Sequence, residues 1–324
     1  MDTGSKIYIA GHQGMVGSAI WRALKIQGYN NLLGRSIGEL DLIDQGVVDS
    51  FFAQERPEYV FLAAAKVGGI QANDRYRGEF IYVNLAIQNN VIHSAYKFGV
   101  KKLLFLGSSC IYPRECPQPI KEEYLLTGPL ETTNEPYAIA KIAGLKLCES
   151  YNRQFGTDFI AAMPTNLYGP NDNYDLETSH VLPALVRKFV EAKQNANPCV
   201  TVWGSGKVKR EFLHVDDAAD ACVYLMKNVS AADLNRFGEG SANHLCFVNV
   251  GTGEDVSIAE LACMIKDAVD YDGDISFDHS KPDGTRRKLL DVCHLASLGW
   301  CRKIPLNDGI KRTVECYKNG SGRI

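Results

Sequence analysis

The sequence lacks a strong excess of charge of either sign. Its 35 Lys and Arg residues nearly balance 38 Asp and Glu residues, so the formal net charge is -3 and the isoelectric point is near 6.2. Proteins that bind nucleic acids usually gather basic residues on one face. The one basic cluster here, Lys281–Lys288, suits a solvated loop as well as a contact with a phosphorylated ligand. Nucleic acid is therefore not a predicted partner.

Paired cysteines, targeting segments and long apolar runs are absent too. Ten cysteines are scattered from Cys110 to Cys316 without a C-x-x-C pair, and seven histidines are dispersed, which argues against disulfides and metal sites. The first residues lead directly into an apolar run at Lys6–Ala10, and no stretch is long enough to span a bilayer. We expect a soluble, cytoplasmic protein without a metal or a membrane partner.

A strand, a glycine turn and a helix open the chain. The strand-like run Lys6–Ala10 leads into Gly-His-Gln-Gly-Met-Val-Gly and a helix-like run that continues through Leu24. Glycines at this spacing allow a tight turn and the close approach of a pyrophosphate, and the helix N-terminus offers free N–H groups. The alternative is an ordinary turn. The pattern predicts that a dinucleotide is bound at Gly11, Gln13, Gly14, Met15, Val16 and Gly17.

The residues after the second strand bear on the choice of cofactor. That strand is expected near Asn31–Leu33, and an NAD-preferring site usually carries an acidic residue at its end. Arg35 stands there instead, and a guanidinium suits a 2′-phosphate, so NADPH is the predicted cofactor. Farther on, Asp41 and Leu42 could place a carboxylate beside the adenine, although a helix-capping turn explains the same residues.

Strands and helices alternate through the first half of the chain. Tyr59–Ala63, Lys102–Leu106 and Phe159–Met163 are predicted to be buried strands, and Phe80–Phe98 a long helix. This alternation predicts an α/β protein with a doubly wound parallel sheet, the Rossmann fold, and ligands beyond the carboxyl ends of its strands.

Polar side chains follow the fourth strand at this edge. Leu106 and Gly107 end the strand, and Ser108, Ser109 and Cys110 come next, where they should face the crevice. Ser108 could hydrogen-bond a substrate oxygen. A Ser-Ser turn is, however, also ordinary loop chemistry.

A helix start precedes a tyrosine and a lysine that are four residues apart. Asn134 and Pro136 are typical of a helix N-terminus, and Tyr137 and Lys141 then share one face of the helix. A phenol has an ordinary pKa of roughly 10, which a nearby ammonium should lower. The pair predicts a general acid at Tyr137, the alternative being a surface helix with an exposed lysine.

The alternation weakens after Phe159–Met163. Prolines and a polar run to Ser179 predict a chain that leaves the sheet to build a lid or second lobe. His180 follows that run, although an isolated histidine is usually structural. We divide the chain into a dinucleotide-binding domain, 1–170, and a smaller α/β substrate-binding lobe, 171–324, with 207–228 and 246–256 as candidates to return to the first domain. Gly238–Asn243 is predicted to be a surface loop, Phe247–Val250 a strand and Ile258–Val269 a helix.

The glycine turn, Ser108, Tyr137 and Lys141 together resemble the extended short-chain dehydrogenase/reductases, a family of nucleotide-sugar epimerases, dehydratases and reductases. Longer segments resemble the bifunctional epimerase-reductases of that family, and the resemblance continues from near Lys6 to near Cys316. It implies NADPH as cofactor, GDP-4-keto-6-deoxy-D-mannose as substrate and a homodimer. The segments that carry it are Gly11–Ser18, Ala63–Ile70, Leu106–Pro113, Asn134–Ala143, Met163–Pro170, Trp203–Gly206 and Lys281–Thr285.

The same resemblance implies roles for individual residues. Ser108, Tyr137 and Lys141 would form the reductase triad, and Cys110 and His180 the acid/base pair that epimerises C3 and C5. To the cofactor residues named above it adds Leu106, Gly107, Ser108, Tyr137, Lys141, Pro164, Asn166, Leu167 and His180. For the GDP-sugar it implies Ser108, Ser109, Cys110, Asn166, Lys188, Trp203, Arg210 and Asp283.

Three positions depart from the family pattern. Gln13 stands where Arg is usual in the family, and Ile37 stands where a second basic residue is frequent. The preference for NADPH over NADH should therefore be weaker than is usual in the family. Lys188 replaces an Arg and lacks its bidentate fork. Two other functions stay open: a C5 epimerase-4-reductase of the GDP-colitose type, and a dinucleotide sensor without turnover, which would typically lose Tyr or Lys from the pair.

Overall fold

The computed structural model describes residues 1–238, 244–281 and 283–320. The predicted loop Gly238–Asn243 therefore lies, except for Gly238, outside the described residues. The strands are β1 (Ile7–Ala10), β2 (Leu32–Leu33), β3 (Tyr59–Leu62), β4 (Lys102–Leu106), β5 (Phe159–Pro164), β6 (Asn166–Tyr168), β7 (Cys199–Trp203), β8 (Lys209–His214), β9 (Phe247–Val250), β10 (Asp255–Ser257), β11 (Asp274–Asp278) and β12 (Arg287–Lys288). The helices are α1 (Met15–Ile26), α2 (Gln45–Glu55), α3 (Ile70–Arg75), α4 (Arg77–Lys97), α5 (Glu135–Phe155), α6 (Val181–Gln194), α7 (Val215–Asn228), α8 (Ala231–Asn235), α9 (Ile258–Val269), α10 (Cys293–Ser297) and α11 (Leu306–Lys318).

A six-stranded sheet forms the centre of the molecule. Its strand order is β2-β1-β3-β4-β5-β9, and every neighbouring pair is parallel. The chain builds outward from β1 in both directions, so the order reverses there. In open α/β sheets, ligands bind beyond the carboxyl ends of the strands at such a reversal. The predicted doubly wound parallel sheet is confirmed.

Alternating side chains of the strands bury both faces of this sheet. In β1, Ile7 and Ile9 join a core with α1 and α7, whereas Tyr8 and Ala10 join a separate core with α2, α4 and α5. Successive strand residues point to opposite faces. A strand that is apolar at every position therefore requires a helical layer on each side.

The predicted elements match the observed ones closely in the sheet. The strand Phe247–Val250 and the helix Ile258–Val269 have the predicted bounds. The long helix begins at Arg77 rather than at Phe80, and the short helix α3 before it was not predicted.

A second group of elements packs beside the sheet. In it, β8 pairs with β6, β10 and β12, and β7 pairs with β11. Helices α6, α9 and α11 enclose a third core that contains Phe189, Leu261 and Ile310. The chain passes back from this group through α7 and re-enters the central sheet as β9.

All ten cysteines are free thiols. Within the described ranges, none of the helices combines the length and the apolar character that crossing a membrane requires.

Candidate active site

The turn after β1 requires glycine because other backbone segments approach it closely. Gly11 has a φ of +84°, and a Cβ there would lie 2.8 Å from the Cα of Ala64. A Cβ on Gly17 would lie 2.1 Å from the carbonyl oxygen of Gly11. The first turn of α1 contains no acidic residue to occupy its N–H groups. The turn therefore fits the pyrophosphate of a dinucleotide.

Arg35 lies beside this turn but has a partner within the protein. Its guanidinium forms an ion pair with Glu55 at 2.8 Å and lies 5.7 Å from the centroid of the Phe51 ring. The residue after β2, Gly34, packs against the His12 ring of the glycine turn. A Cβ on Gly34 would lie only 2.5 Å from that ring. A cation is thus present at the predicted 2′-phosphate site, and Glu55 neutralises part of its charge.

The other residues predicted at the adenine end differ in exposure. Gln13 and Asp41 are exposed, and Leu42 is buried in the core. The Asp41 carboxylate accepts a hydrogen bond from the backbone N–H of Ile43, and Asp44 caps α2 through the N–H of Val47. Asp44 thus caps α2, and the contact of Asp41 and Leu42 with the cofactor stays a prediction.

Ser108, Tyr137 and Lys141 come together at the carboxyl end of β4. The Lys141 ammonium donates to the carbonyl oxygen of Leu106 at 2.7 Å and lies 5.7 Å from the centroid of the Tyr137 ring. The Ser108 hydroxyl lies close enough to the Tyr137 phenol to lower its pKa. The loop after β4 and one face of α5 thus supply a hydroxyl, a phenol and an amine to one place.

Burial sets the protonation of these groups. It raises the pKa of the Tyr137 phenol above its ordinary range, against a smaller lowering by the Ser108 hydrogen bond. Burial lowers the pKa of Lys141 to about 7. The prediction that the ammonium lowers the pKa of the phenol is wrong for this structure, because the buried ammonium is itself disfavoured.

Asn134 has a different role from the predicted one. It stands at the N-cap of α5, with Pro136 in the first turn, but its side chain makes no capping hydrogen bond. Its amide N–H donates instead to the Cys110 sulfur at 3.2 Å. The residue that marks the helix start in the sequence therefore contacts the predicted acid/base thiol.

Cys110 and His180 come from different elements. Cys110 lies in a short 3-10 turn, Ser109–Ile111, where its backbone N–H donates to the Ser108 hydroxyl at 3.2 Å. His180 precedes α6, at the end of a loop whose Thr178 carbonyl accepts from the Gly69 N–H at 2.8 Å. Its ring is accessible to solvent, yet the surrounding protein and the Lys288 charge lower its pKa.

Lys288 is a site residue that the sequence analysis did not single out. Its ammonium lies 3.6 Å from the Cys110 sulfur. Strand β12 pairs with β8 so that Lys288 lies opposite Arg210, which also acts electrostatically on Cys110. Only the register between these strands reveals the contact, and no local pattern in the sequence marks it.

The residues predicted for the nucleotide lie around an exposed indole. Trp203 is 45% exposed, and the ammonium groups of Lys188 and Lys281 lie 5.0 and 5.2 Å from its ring centroid. Asp283 accepts from the backbone N–H and hydroxyl of Ser205 at 2.7 and 2.8 Å. This arrangement offers stacking surface and positive charge on the second group of elements.

A buried carboxylate holds the strands near the site, and the sequence analysis missed it. Glu211 is fully buried and accepts from the backbone N–H groups of Gly253 and Leu290 at 2.8 and 2.9 Å. Its carbonyl oxygen accepts from the Asn166 side chain at 2.8 Å. Pro164 and Leu167, which were predicted to bind the cofactor, lie in β5 and β6. Pro164 is buried, and Leu167 is partly buried. Glu211 therefore fixes β8 against the segments on either side of it.

The fold and this site define a class of protein, an enzyme of the short-chain dehydrogenase/reductase type with a dinucleotide fold. The profile of the NAD dependent epimerase/dehydratase family matches residues 7–237, and the chain belongs to this family. Within it, the chain groups with the GDP-L-fucose synthases. The resemblance found in the motifs is confirmed.

The similarity to individual relatives extends over nearly the whole chain. GDP-L-fucose synthase 1 of Arabidopsis thaliana is 57% identical over 316 residues, 98% of this chain and 94% of that protein. GDP-L-fucose synthase of Escherichia coli K12 is 54% identical over 319 residues, 98% of each. The solved structure of GDP-mannoheptose C4 reductase from Campylobacter jejuni with NADP bound has a TM-score of 0.89 and 45% identity, covering 98% of this chain and 99% of that one.

Proposed function

We propose that this protein converts GDP-4-keto-6-deoxy-D-mannose to GDP-L-fucose, by epimerisation at C3 and C5 followed by NADPH-dependent reduction at C4. The observation that carries the proposal is the gathering of two sets of groups at one sheet edge. Ser108, Tyr137 and Lys141 suit reduction of a ketone, and Cys110 lies in the next turn of the chain. The relatives named GDP-L-fucose synthase support this substrate.

Epimerisation needs a base and an acid on opposite faces of the sugar. The C4 ketone acidifies the protons on C3 and C5, so a base can remove either one while the electron pair moves to the ketone oxygen as an enolate. Returning a proton to the other face inverts the centre. Cys110 and His180 come from separate elements, which allows them to flank one ring.

Reduction must follow epimerisation, because it removes the ketone that makes C3 and C5 acidic. The bound nicotinamide would supply the hydride for C4. Tyr137 donates the proton to the C4 oxygen, and Ser108 hydrogen-bonds the same oxygen. Lys141 lies beside Tyr137, where it can hold the hydroxyls of the cofactor ribose.

Other residues would hold the two nucleotides. The Gly11–Gly17 turn suits the pyrophosphate of the cofactor, and Arg35 suits a 2′-phosphate. At the other side of the site, Trp203 can stack on the guanine, and Lys188 and Arg210 can bind the diphosphate. The dinucleotide-binding domain, 1–170, and the substrate-binding lobe, 171–324, would thus each bring one ligand to the shared edge.

We also propose a cytoplasmic homodimer that associates through α4 and α5. Apolar side chains stand exposed on these two helices, with Tyr82 at 65%, Ile139 at 42% and Phe155 at 41%. The free thiols suit a reducing compartment.

Identification of the product tests the proposed reaction. The protein is incubated with GDP-4-keto-6-deoxy-D-mannose and NADPH in heavy water, and the sugar is analysed by proton NMR and mass spectrometry. We expect GDP-L-fucose with deuterium at C3 and C5. A parallel reaction uses the 3-deoxy ketosugar. Turnover of that compound alone would indicate the colitose-type enzyme, and NADPH binding without oxidation of NADPH by either sugar would indicate a sensor.

A further inference from the structure

We infer that Lys288 is a positioning residue for epimerisation, whose ammonium contacts the Cys110 sulfur and stabilises negative charge on it when Cys110 acts as the base. This inference rests on the proposed function for the role of Cys110 as base. The contact itself is independent of that function, since it joins two groups of this chain at 3.6 Å.

The surroundings of Lys288 leave its charge available to the sulfur. Among the described residues, no carboxylate lies within 4.0 Å of its ammonium, whereas Arg287 beside it pairs with Asp255. The side chain is only partly exposed, so solvent screens its charge less than it screens that of a surface lysine. An unpaired cation next to a thiol favours the thiolate.

The position of Lys288 is fixed by the fold. β12 pairs with β8, and the buried Glu211 of β8 accepts the N–H of Leu290, two residues beyond Lys288. Lys288 therefore lies on a segment that is held by the pairing of β12 with β8 and by the hydrogen bond from Leu290 to Glu211. A freely moving surface lysine would not maintain such a contact.

Several other groups face the same two side chains. Cys110 is near Tyr137 of α5 and Arg210 of β8, and it accepts from the Asn134 amide. Lys288 also acts on Cys116 and lowers the pKa of His180. The Lys288 charge therefore stabilises Cys110 as a thiolate base and makes the protonated ring of His180 a stronger acid. Inversion requires one base and one acid of this kind.

Proton transfer with these groups balances. The Cys110 thiolate takes the proton from C3 or C5 and becomes a thiol, and the electron pair of the C–H bond becomes the enolate. Protonated His180 returns a proton to the opposite face of that carbon and becomes neutral. Solvent then restores both groups. Lys288 keeps its proton throughout.

The test measures the Cys110 thiolate without substrate. Lys288→Met removes the charge, Lys288→Arg keeps it, and Arg286→Met removes an exposed cation from the same segment as a matched control. Alkylation of the Cys110 peptide by iodoacetamide is followed by mass spectrometry from pH 5.5 to 10, with the exposed Cys199 as an internal reference. Circular dichroism and NADPH binding confirm that each variant is folded.

We expect the pH midpoint of Cys110 alkylation to rise by about one unit in Lys288→Met and to stay near the parent value in Lys288→Arg and Arg286→Met. Deuterium exchange at C3 and C5 should slow about tenfold near neutral pH in Lys288→Met, in proportion to the thiolate lost. An unchanged alkylation midpoint in folded Lys288→Met would overturn the inference, even if turnover fell. If Lys288→Met does not fold, a raised midpoint in Lys288→Gln supports the inference and an unchanged one refutes it. Failure of the parent protein to process the sugar would refute the proposed function and leave the alkylation result standing.

Discussion

The proposed reductase triad and the proposed epimerase pair are built differently. Ser108 follows β4, Tyr137 and Lys141 lie in α5, and Lys141 is 3% exposed. The groups around Cys110 and His180 come from a 3-10 turn, the start of α6 and β12. The first centre is assembled by one core and the second by contacts between separate parts of the chain.

The difference extends to how protonation is controlled. In the reductase triad, burial raises the pKa of Tyr137 and lowers that of Lys141. Around Cys110 lie two cations, Lys288 and Arg210, and one hydrogen-bond donor, the Asn134 amide. Packing controls the protonation of the buried Tyr137 and Lys141. The charges that surround Cys110 depend instead on how the strands of the second group of elements pair. The two halves of the reaction should therefore be separable by mutation.

The largest separation is expected from Tyr137→Phe. The substitution keeps the ring and removes the proton donor, so reduction should fall by roughly 10²–10⁴-fold, the usual contribution of general acid catalysis. NADPH oxidation measures reduction, and deuterium exchange at C3 and C5 measures epimerisation. Exchange and NADPH affinity should stay near the parent values. Reduction at the parent rate would show that another residue donates the proton.

Cys110→Ser and His180→Gln should have the opposite effect. Each removes one partner of the acid/base pair, so exchange at C3 and C5 should fall by roughly 10² or more while NADPH still binds. The reductase should then act slowly on the unepimerised ketone and give a D-configured 6-deoxy sugar. Proton NMR of the product distinguishes it from the L-sugar. Persistent exchange at both carbons in both variants would remove the pair from the mechanism.

Arg35→Ala tests the cofactor end, away from both centres. Loss of the guanidinium should lower kcat/KM with NADPH about tenfold and leave NADH nearly unchanged, because only NADPH carries the 2′-phosphate. The effect should be moderate, since Arg35 already pairs with Glu55. Steady-state kinetics with both cofactors measure it. Equal losses with NADPH and NADH would assign Arg35 a structural role, and a parent protein that prefers NADH would contradict the cofactor assignment.

The smallest effect concerns stability. The pKa of Lys141 is lowered from 10.5 to about 7 in the folded protein, so the cost of burying its ammonium is complete below pH 7 and disappears as the pH rises toward 10.5. Lys141→Met should therefore stabilise the cofactor-free protein by about 1–2 kcal/mol at pH 6, after loss of the hydrogen bond to Leu106. The gain should be smaller at pH 9.

Urea unfolding at the two pH values measures this difference. Lys146→Met, which removes a partly exposed lysine paired with Glu149 from the same helix, is the matched control and should change stability little at either pH. A loss of stability in Lys141→Met that does not vary with pH would show that the amine is structural.

Predictions from sequence succeeded where local patterns are decisive. Apolar runs such as Tyr59–Leu62 and Phe159–Met163 gave strands of the central sheet, because a strand buried on both faces is apolar at nearly every position. The glycine turn gave the start of α1. In the second group of elements, short partly exposed strands such as β10 and β12 carry no such pattern, and their positions depend on pairing with β8.

The sequence by itself determined the parallel sheet, the family and the candidate residues Ser108, Cys110, Tyr137 and Lys141, because these lie in recognisable motifs. The candidate role of His180 came from the family resemblance alone. Only the tertiary structure placed Lys288 and Asn134 against the Cys110 sulfur and Glu211 beneath the strands that hold them. The tertiary structure also raises the pKa of Tyr137, which the sequence had predicted to be lowered. The physical reason is the same in each case: long-range register and burial decide which charges meet and how much solvent they retain, and neither is encoded in a local stretch of the chain.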